Sequence, residues 1–184
     1  RILIIGSLLN CDIKISGFLD AKDPNSTMMA LNNLGSSIKK DNKIVSISHR
    51  SKPFSTPSSF LDLGNSGTGI RLLTGFISGL NIKATLVGDD SLSKRPMSRV
   101  VDPLTLMGKE ISTNSGKAPI QIKGGNIKDN FEYVMPIASA QVKSCLMLAS
   151  LSSGNSIKIT ESKITRDHTE RMIEYLDGSI EISE

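Results

Sequence analysis

Tryptophan is absent from the 184 residues, aromatics make up only 4%, and just two histidines and two cysteines occur. Each shortage closes a class of function. Five phenylalanines and two tyrosines give no stacking platform for bases, and lysines and arginines are scattered along a chain of net charge +4, so nucleic acid is a poor partner. Cys11 and Cys145 have no metal-ligand spacing. A disulfide between them is open in principle, but free thiols in a reducing compartment are the expected state. No apolar run reaches the length of a bilayer span, and no charged-then-apolar leader with a cleavage site is present. The chain runs straight from Arg1 into an apolar segment without a starting methionine, which points to a fragment. What remains, 38% hydrophobic and 22% charged, is a globular composition long enough for a real core. Its charge balance suits small anions.

Internal repetition sets the expected architecture. Ile13-Lys14-Ile15, Ile82-Lys83-Ala84 and Ile157-Lys158-Ile159 read as strand starts, 69 and then 75 residues apart. Each follows a nearly all-apolar helix candidate: Ile2–Leu9, Ile70–Leu80 and Val142–Leu151. Helices with so little polar face must be surrounded. A second helix follows each strand, near Asn25–Leu34, Met97–Met107 and Asp167–Leu176, with a polar face for the outside. Pro103 inside one of these predicts a kink or a restart. Gly35, Gly108 and Gly178 then offer left-handed caps before strand-like pieces at Ser36–Ile38, Lys109–Ile111 and Ser179–Glu181. The expectation is an α/β domain of three βαβαββ-type repeats with buried parallel helices and pseudo-threefold symmetry.

Parallel buried helices bring their N-termini, and the partial positive charges there, to one end of the domain. Leu63-Gly64-Asn65-Ser66-Gly67-Thr68-Gly69-Ile70-Arg71 is a glycine-rich entry to one such helix, where backbone can come close to a ligand. Ser139-Ala140-Gln141-Val142-Lys143 offers a hydroxyl, an amide and an ammonium at a second, and the third begins at Arg1. Lys94, Arg95 and Arg99 gather around Pro96, which is expected at a first helical position; arginines there can grip a phosphate or carboxylate. Each piece also has a plain structural reading. Asn65-Ser66 and Ser139 serve as helix caps, and Thr165 or Asp167 caps the helix of Thr165-Arg166-Asp167-His168-Thr169-Glu170. His168 and His49 read as surface residues. Spacing alone reaches no further than the binding of a small anion.

Four segments together go further: LGNSGTGIR (63–71), GDDSLSKRPMSRVVDPLTLMG (88–108), PIASAQVKSCLMLASL (136–151) and TRDHTERM (165–172). In this order and at these intervals the chain resembles the 5-enolpyruvylshikimate-3-phosphate synthase family over nearly its whole length. The resemblance implies residues 1–184 as a single N-terminal-type domain of a two-domain enzyme. That enzyme transfers the enolpyruvyl group of phosphoenolpyruvate to the 5-hydroxyl of shikimate 3-phosphate, in the route to chorismate and the aromatic amino acids. It implies no metal or organic cofactor, and a monomer. Bacterial cytoplasm is the default location, with a plastid protein lacking its transit peptide as the alternative.

The resemblance also implies residue roles. Gly67 would lie against phosphoenolpyruvate, with Asn65 and Thr68 shaping the loop, and Arg95 would bind the same substrate. Gln141 would stand between the two substrates. Ser139 and Ala140 would flank the shikimate phosphate, Arg166 with Thr165 would add a further phosphate contact, and Arg1 would touch the shikimate moiety. The family's lysine and serines preceding Arg1 are missing, as is the C-terminal domain with its proton-transfer acids. No catalytic residue is therefore assigned, and the chain alone is expected to be inactive. Two alternatives stand beside this reading: a non-catalytic small-anion-binding module, and a relative acting on UDP-N-acetylglucosamine.

Overall fold

A computed structural model describes residues 1–9 and 11–183. The first unit contains α1 (Ile2–Gly6), β1 (Ile13–Ile15), α2 (Lys22–Asn33), β2 (Ser37–Asp41) and β3 (Ile44–Ser48). The second runs β4 (Leu61–Asp62), α3 (Gly67–Gly79), β5 (Ala84–Val87), the short α4 (Asp90–Ser93), α5 (Ser98–Leu106), β6 (Glu110–Asn114) and β7 (Lys117–Gly124). The third has β8 (Phe131–Val134), α6 (Ala140–Ser153), β9 (Ile157–Thr160) and α7 (His168–Tyr175).

Sheet order repeats with the units. In β1-β3-β2 and β4-β5-β7-β6, the Ile-Lys strand pairs antiparallel with the returning strand of the following hairpin, Ile13 opposite Ile47 and Ala84 opposite Ile122. In the second and third units a strand ahead of the buried helix pairs parallel with the Ile-Lys strand, Leu61 opposite Leu86 and Phe131 opposite Ile157. Among the described residues, the second unit alone shows the whole βαβαββ pattern. The β6–β7 turn is made by Ser115 and Gly116, both at positive φ (49° and 74°), as the tightest hairpins require.

Sequence dictates the layering. α1, α3 and α6 carry apolar residues on most of their circumference and are buried, through Leu3, Ile4 and Ile5, then Ile70, Leu73, Phe76 and Ile77, then Cys145, Leu146, Leu148 and Ala149. α2, α5 and α7 turn one face inward and lie outside. α3 and α6 run parallel and very close. A Cβ on Gly75 would stand 2.0 Å from the Cys145 carbonyl oxygen, and one on Gly79 would stand 2.3 Å from that of Ala149. Ser152 Oγ ties the pair by donating to the Phe76 carbonyl at 2.8 Å.

Several expectations change. α3 and α6 start earlier than the apolar runs, at Gly67 and Ala140, while α1 stops at Gly6. β5 begins at Ala84, not Ile82. Pro96 precedes the N-cap Met97 instead of opening the helix, and α5 continues through Pro103 without restarting. Burial of Val100, Val101, Pro103 and Leu104 holds that helix despite the lost N–H. Gly35 and Gly108 adopt positive φ (104° and 106°), but at the third stop Asp177 takes it (59°). Gly178 is needed for space, since a Cβ there would meet Ile173 Cγ2 at 2.5 Å. Ser179–Glu181 forms no strand. In the other two units the corresponding strand is paired with a returning partner.

Candidate functional site

The loop between β4 and α3 is shaped by its glycines. Gly64 sits at φ 53°, donating to Asp62 Oδ1 at 2.8 Å and accepting from the Asp89 N–H at 2.9 Å. Ser66 caps α3 by accepting from the Gly69 N–H at 3.1 Å. The buried Gly67 is the first residue of the helix. A Cβ there would lie 2.7 Å from Arg95 Nη1 and 3.3 Å from Arg71 Nη1, so two guanidiniums occupy the space over its backbone. A side chain at this position would have to push the ends of both guanidiniums away from that backbone.

Arg95 arrives from the turn after α4, which Asp89 begins by accepting the Leu92 N–H at 2.8 Å. That bond, with help from Asn65 and Arg95, holds the Asp89 carboxyl below its ordinary range. Asn65 donates to Asp89 Oδ2 at 3.0 Å and accepts from Arg95 Nη2. Arg71 completes the group, donating from Nη1 to the Gly67 carbonyl at 3.2 Å and to Gln141 Oε1 at 3.0 Å, and from Nη2 to the Pro96 carbonyl at 3.0 Å. Burial, with the nearby charges of Arg95 and Arg99, lowers the Arg71 pKa. Three like charges thus lie near one another at the tip of α3.

At the tip of α6, Ser139 Oγ accepts the Val142 N–H at 3.5 Å, a long capping bond that leaves the hydroxyl proton available to donate. Ala140, half-buried, opens the helix. Gln141 is fixed at both ends of its amide: Oε1 takes the Arg71 bond, and Nε2 donates to Thr68 Oγ1 at 3.0 Å, leaving one N–H free. The tips of α3 and α6 are thus joined through one side chain. The ammonium expected to face an anion behaves otherwise. Lys143 is buried, its Nζ 2.7 Å from Glu161 Oε1 and 2.6 Å from Glu170 Oε1.

A third set lies around α1. Arg1 Nε donates to Thr169 Oγ1 at 2.8 Å, and Thr169 donates on to Ser144 Oγ at 2.7 Å, linking the start of α1 to α6. Burial and the charge of Arg166 lower the Arg1 pKa, and Glu170 opposes them. Arg166 itself is exposed. Thr165 neither caps α7 nor is free, because its hydroxyl donates to Glu161 Oε2 at 2.7 Å. Asp167 stands at the N-cap of α7 but makes no side-chain cap bond. His49 and His168 are exposed.

Asn65, Gly67, Thr68, Arg95 and Gln141 therefore form one connected group, and Arg1, Thr165 and Arg166 a second; α6 contributes to both through Gln141, Lys143 and Ser144. A groove of about 190 Å³ between α5 and the approach to α6 includes Arg99, Tyr133, Ile137 and Ser139. It does not include Arg95 or Arg166. Sequence reasoning missed Arg71, Ser144, Glu161, Thr169 and Glu170 as the residues that hold this arrangement. Arg71, Ser144, Thr169 and Glu170 sit inside recognised motifs, but Glu161 carries no local signal. Among the described residues, no cluster of three or more His, Cys, Asp or Glu could hold a metal ion, and no helix is long and apolar enough to cross a membrane.

Fold and cluster together define an enolpyruvyl-transferase-type domain, with sheets wrapped around parallel helices whose tips gather arginines. The family model of EPSP synthase (3-phosphoshikimate 1-carboxyvinyltransferase) matches residues 1–184, and the chain belongs to this family. A 3-phosphoshikimate 1-carboxyvinyltransferase of Vesicomyosocius okutanii is 46% identical over 180 residues, 96% of this chain and 41% of the relative. One from Legionella pneumophila (strain Corby) is 41% identical over 186 residues, 100% of this chain and 43% of the relative. The solved EPSP synthase of Acinetobacter baumannii superposes with a TM-score of 0.91 at 37% identity, covering 100% of this chain and 42% of that one. The chain thus spans about two fifths of the length of the relatives it matches.

Proposed function

We propose that residues 1–184 are the N-terminal-type domain of a monomeric, cytoplasmic enzyme that transfers the enolpyruvyl group of phosphoenolpyruvate to the 5-hydroxyl of shikimate 3-phosphate. The observation that carries the reading is the pair of arginine groups on either flank of the α6 tip: Arg71 with Arg95 at Gly67, and Arg1 with Arg166 beyond Ser144. A reaction between two phosphorylated acids needs two such places side by side.

In this reading Arg95 and the backbone at Gly67 hold phosphoenolpyruvate, and the free N–H of Gln141 faces the space between the substrates. Asn65 and Thr68 orient Arg95 and Gln141 through their hydrogen bonds. Ser139 donates its free hydroxyl proton to the shikimate phosphate, beside Ala140, while Arg166 and Arg1 add charge. Thr165, committed to Glu161, keeps only lone pairs and shapes the loop instead of donating. None of these groups is suited to moving a proton at neutral pH, so the chemistry requires residues of the complementary part, and the chain alone turns nothing over.

The test is calorimetric titration of the purified chain with shikimate 3-phosphate and phosphoenolpyruvate, alone and mixed with a separately produced C-terminal remainder. Binding of shikimate 3-phosphate, with turnover restored on mixing, supports the proposal. Absence of both overturns it.

A further inference from the structure

Lys143 lies two residues after Gln141 on α6, the helix that meets one arginine group through Gln141 and the other through Ser144, yet its own ammonium is turned to carboxylates. Its side chain is 11% exposed and bridges two carboxylates drawn from opposite ends of one loop. Glu161 follows β9 and Glu170 lies in the first turn of α7; between them run Thr165 and Arg166. Glu161 spends its remaining capacity on Thr165, accepting from its N–H at 3.2 Å and from its hydroxyl at 2.7 Å. Glu170 Oε2 is buried without a hydrogen-bond partner.

The Glu170 carboxylate lies close enough to act on the charge of Arg1, but Arg1 Nε is directed to the neutral Thr169 hydroxyl. Arg166 pairs with no carboxylate among the described residues. Two carboxylates and three cations thus share one corner of the fold, and the cation taken by both acids is the one facing inward. The guanidiniums of the half-buried Arg1 and the exposed Arg166 are left without a carboxylate partner among the described residues. Were Lys143 absent, buried unpaired carboxylates would be costly and would recruit the nearest cations.

We propose that Lys143 is a positioning residue that occupies Glu161 and Glu170 and so keeps the guanidiniums of Arg1 and Arg166 unpaired for a phosphorylated ligand. The inference rests on the reading above in that it takes this flank to be the shikimate 3-phosphate side.

The experiment compares three forms of the full-length protein that carries this chain: wild type, Lys143→Met, and the triple variant Lys143→Met/Glu161→Gln/Glu170→Gln. Binding of shikimate 3-phosphate and of inorganic phosphate is measured by titration calorimetry, with steady-state kinetics alongside. Lys143→Met is expected to weaken both ligands by about tenfold or more, the scale of redirecting one charge-assisted hydrogen bond. The KM for phosphoenolpyruvate should move much less. The triple variant lacks the same tether but also lacks the competing charges, so it should recover most of the lost affinity. A purely structural tether predicts that the triple variant stays as weak as Lys143→Met, and that result overturns the proposal, as does an unaltered Lys143→Met. If Lys143→Met does not fold, Glu170→Gln decides: it should bind phosphate as well as wild type or more tightly, and weaker binding refutes the idea. Wild type that binds phosphate, with the expected pattern among variants but without turnover, would sink the assigned reaction and leave this inference standing. Wild type that binds neither ligand sinks both.

Discussion

Arg71 on α3 donates to Gln141 on α6 at 3.0 Å, and through the same guanidinium it holds the Gly67 and Pro96 carbonyls. Three chain segments share this one planar donor set. Lysine has the charge but not the fork. Arg71→Lys in the full-length protein should therefore raise the KM for phosphoenolpyruvate and lower stability by about 1–3 kcal/mol, a Tm drop of several degrees. Thermal melts and steady-state kinetics on the same preparation check it; an unchanged Tm and KM would remove Arg71 from this role.

Arg95→Ala and Arg166→Ala should separate the two flanks. Each hydrogen bond to a charged group is worth roughly 1.5–3 kcal/mol, so each loss should exceed that of an ordinary surface charge. Arg95→Ala is expected to weaken phosphoenolpyruvate use, and Arg166→Ala chiefly to raise the KM for shikimate 3-phosphate. Crossed effects would show that the flanks are assigned the wrong way round.

Gly75→Ala tests the packing of α3 on α6. Alanine gains up to about 1 kcal/mol of helix propensity, but its methyl would sit 2.0 Å from a main-chain oxygen that has nowhere to go. Overpacking costs typically about 1–3 kcal/mol, and more against backbone, so the variant should be clearly destabilised in urea. Gly154→Ala is the useful contrast. With nothing within 4 Å and a φ of 74°, it should lose only the left-handed backbone cost of about 1–2 kcal/mol.

The two thiols should behave oppositely. Cys11 is exposed and should react readily with a thiol reagent, whereas burial pushes the Cys145 pKa up to about 12. Native protein should take one label fast and the second at the rate of unfolding, read by mass spectrometry. Rapid double labelling would contradict the packing of Cys145 against Gly75.

Acid should expose the contribution of Glu161. Burial alone would raise its pKa, but the bonds from Lys143 and Thr165 prevail and hold it below the ordinary 4.5. A depressed carboxyl stabilises the fold at pH above its unfolded value and loses that contribution as pH falls through the folded one. Lys143, raised above 10.5 by the same carboxylates against the pull of burial, gives the mirror case and loses its contribution only as pH climbs past its folded value. The stability gap between wild type and Glu161→Gln should be flat near neutrality and shrink below about pH 4.5. A gap that widens with acid would contradict the pairing.

Much of this could be read from residues alone, and the gaps have physical reasons. All-apolar helices and glycine stops announced three units, because burial on every side leaves a mark on each residue of a helix. α4 is four residues long and β4 two, too short for periodicity, and they owe their existence to Asp89 and to pairing with β5. β7 shows clean alternation at Ala118, Ile120 and Ile122, but Pro119 inside the run argues against a strand until its exposed position is known. Gly67, Arg95 and Gln141 were legible through their motifs. The neutralisation of Lys143 was not, since Glu161 lies 18 residues away and no local spacing rule links them.

The main-chain contact at Gly75 and Gly79 acts as a fixed gauge. Where main chain sets the approach of the two rods, drift elsewhere in the core has little leverage on the distance between Thr68 and Gln141. Changes in ligand preference must then come from the loops mounted on those rods, and selection acting on this protein should find its freedom there.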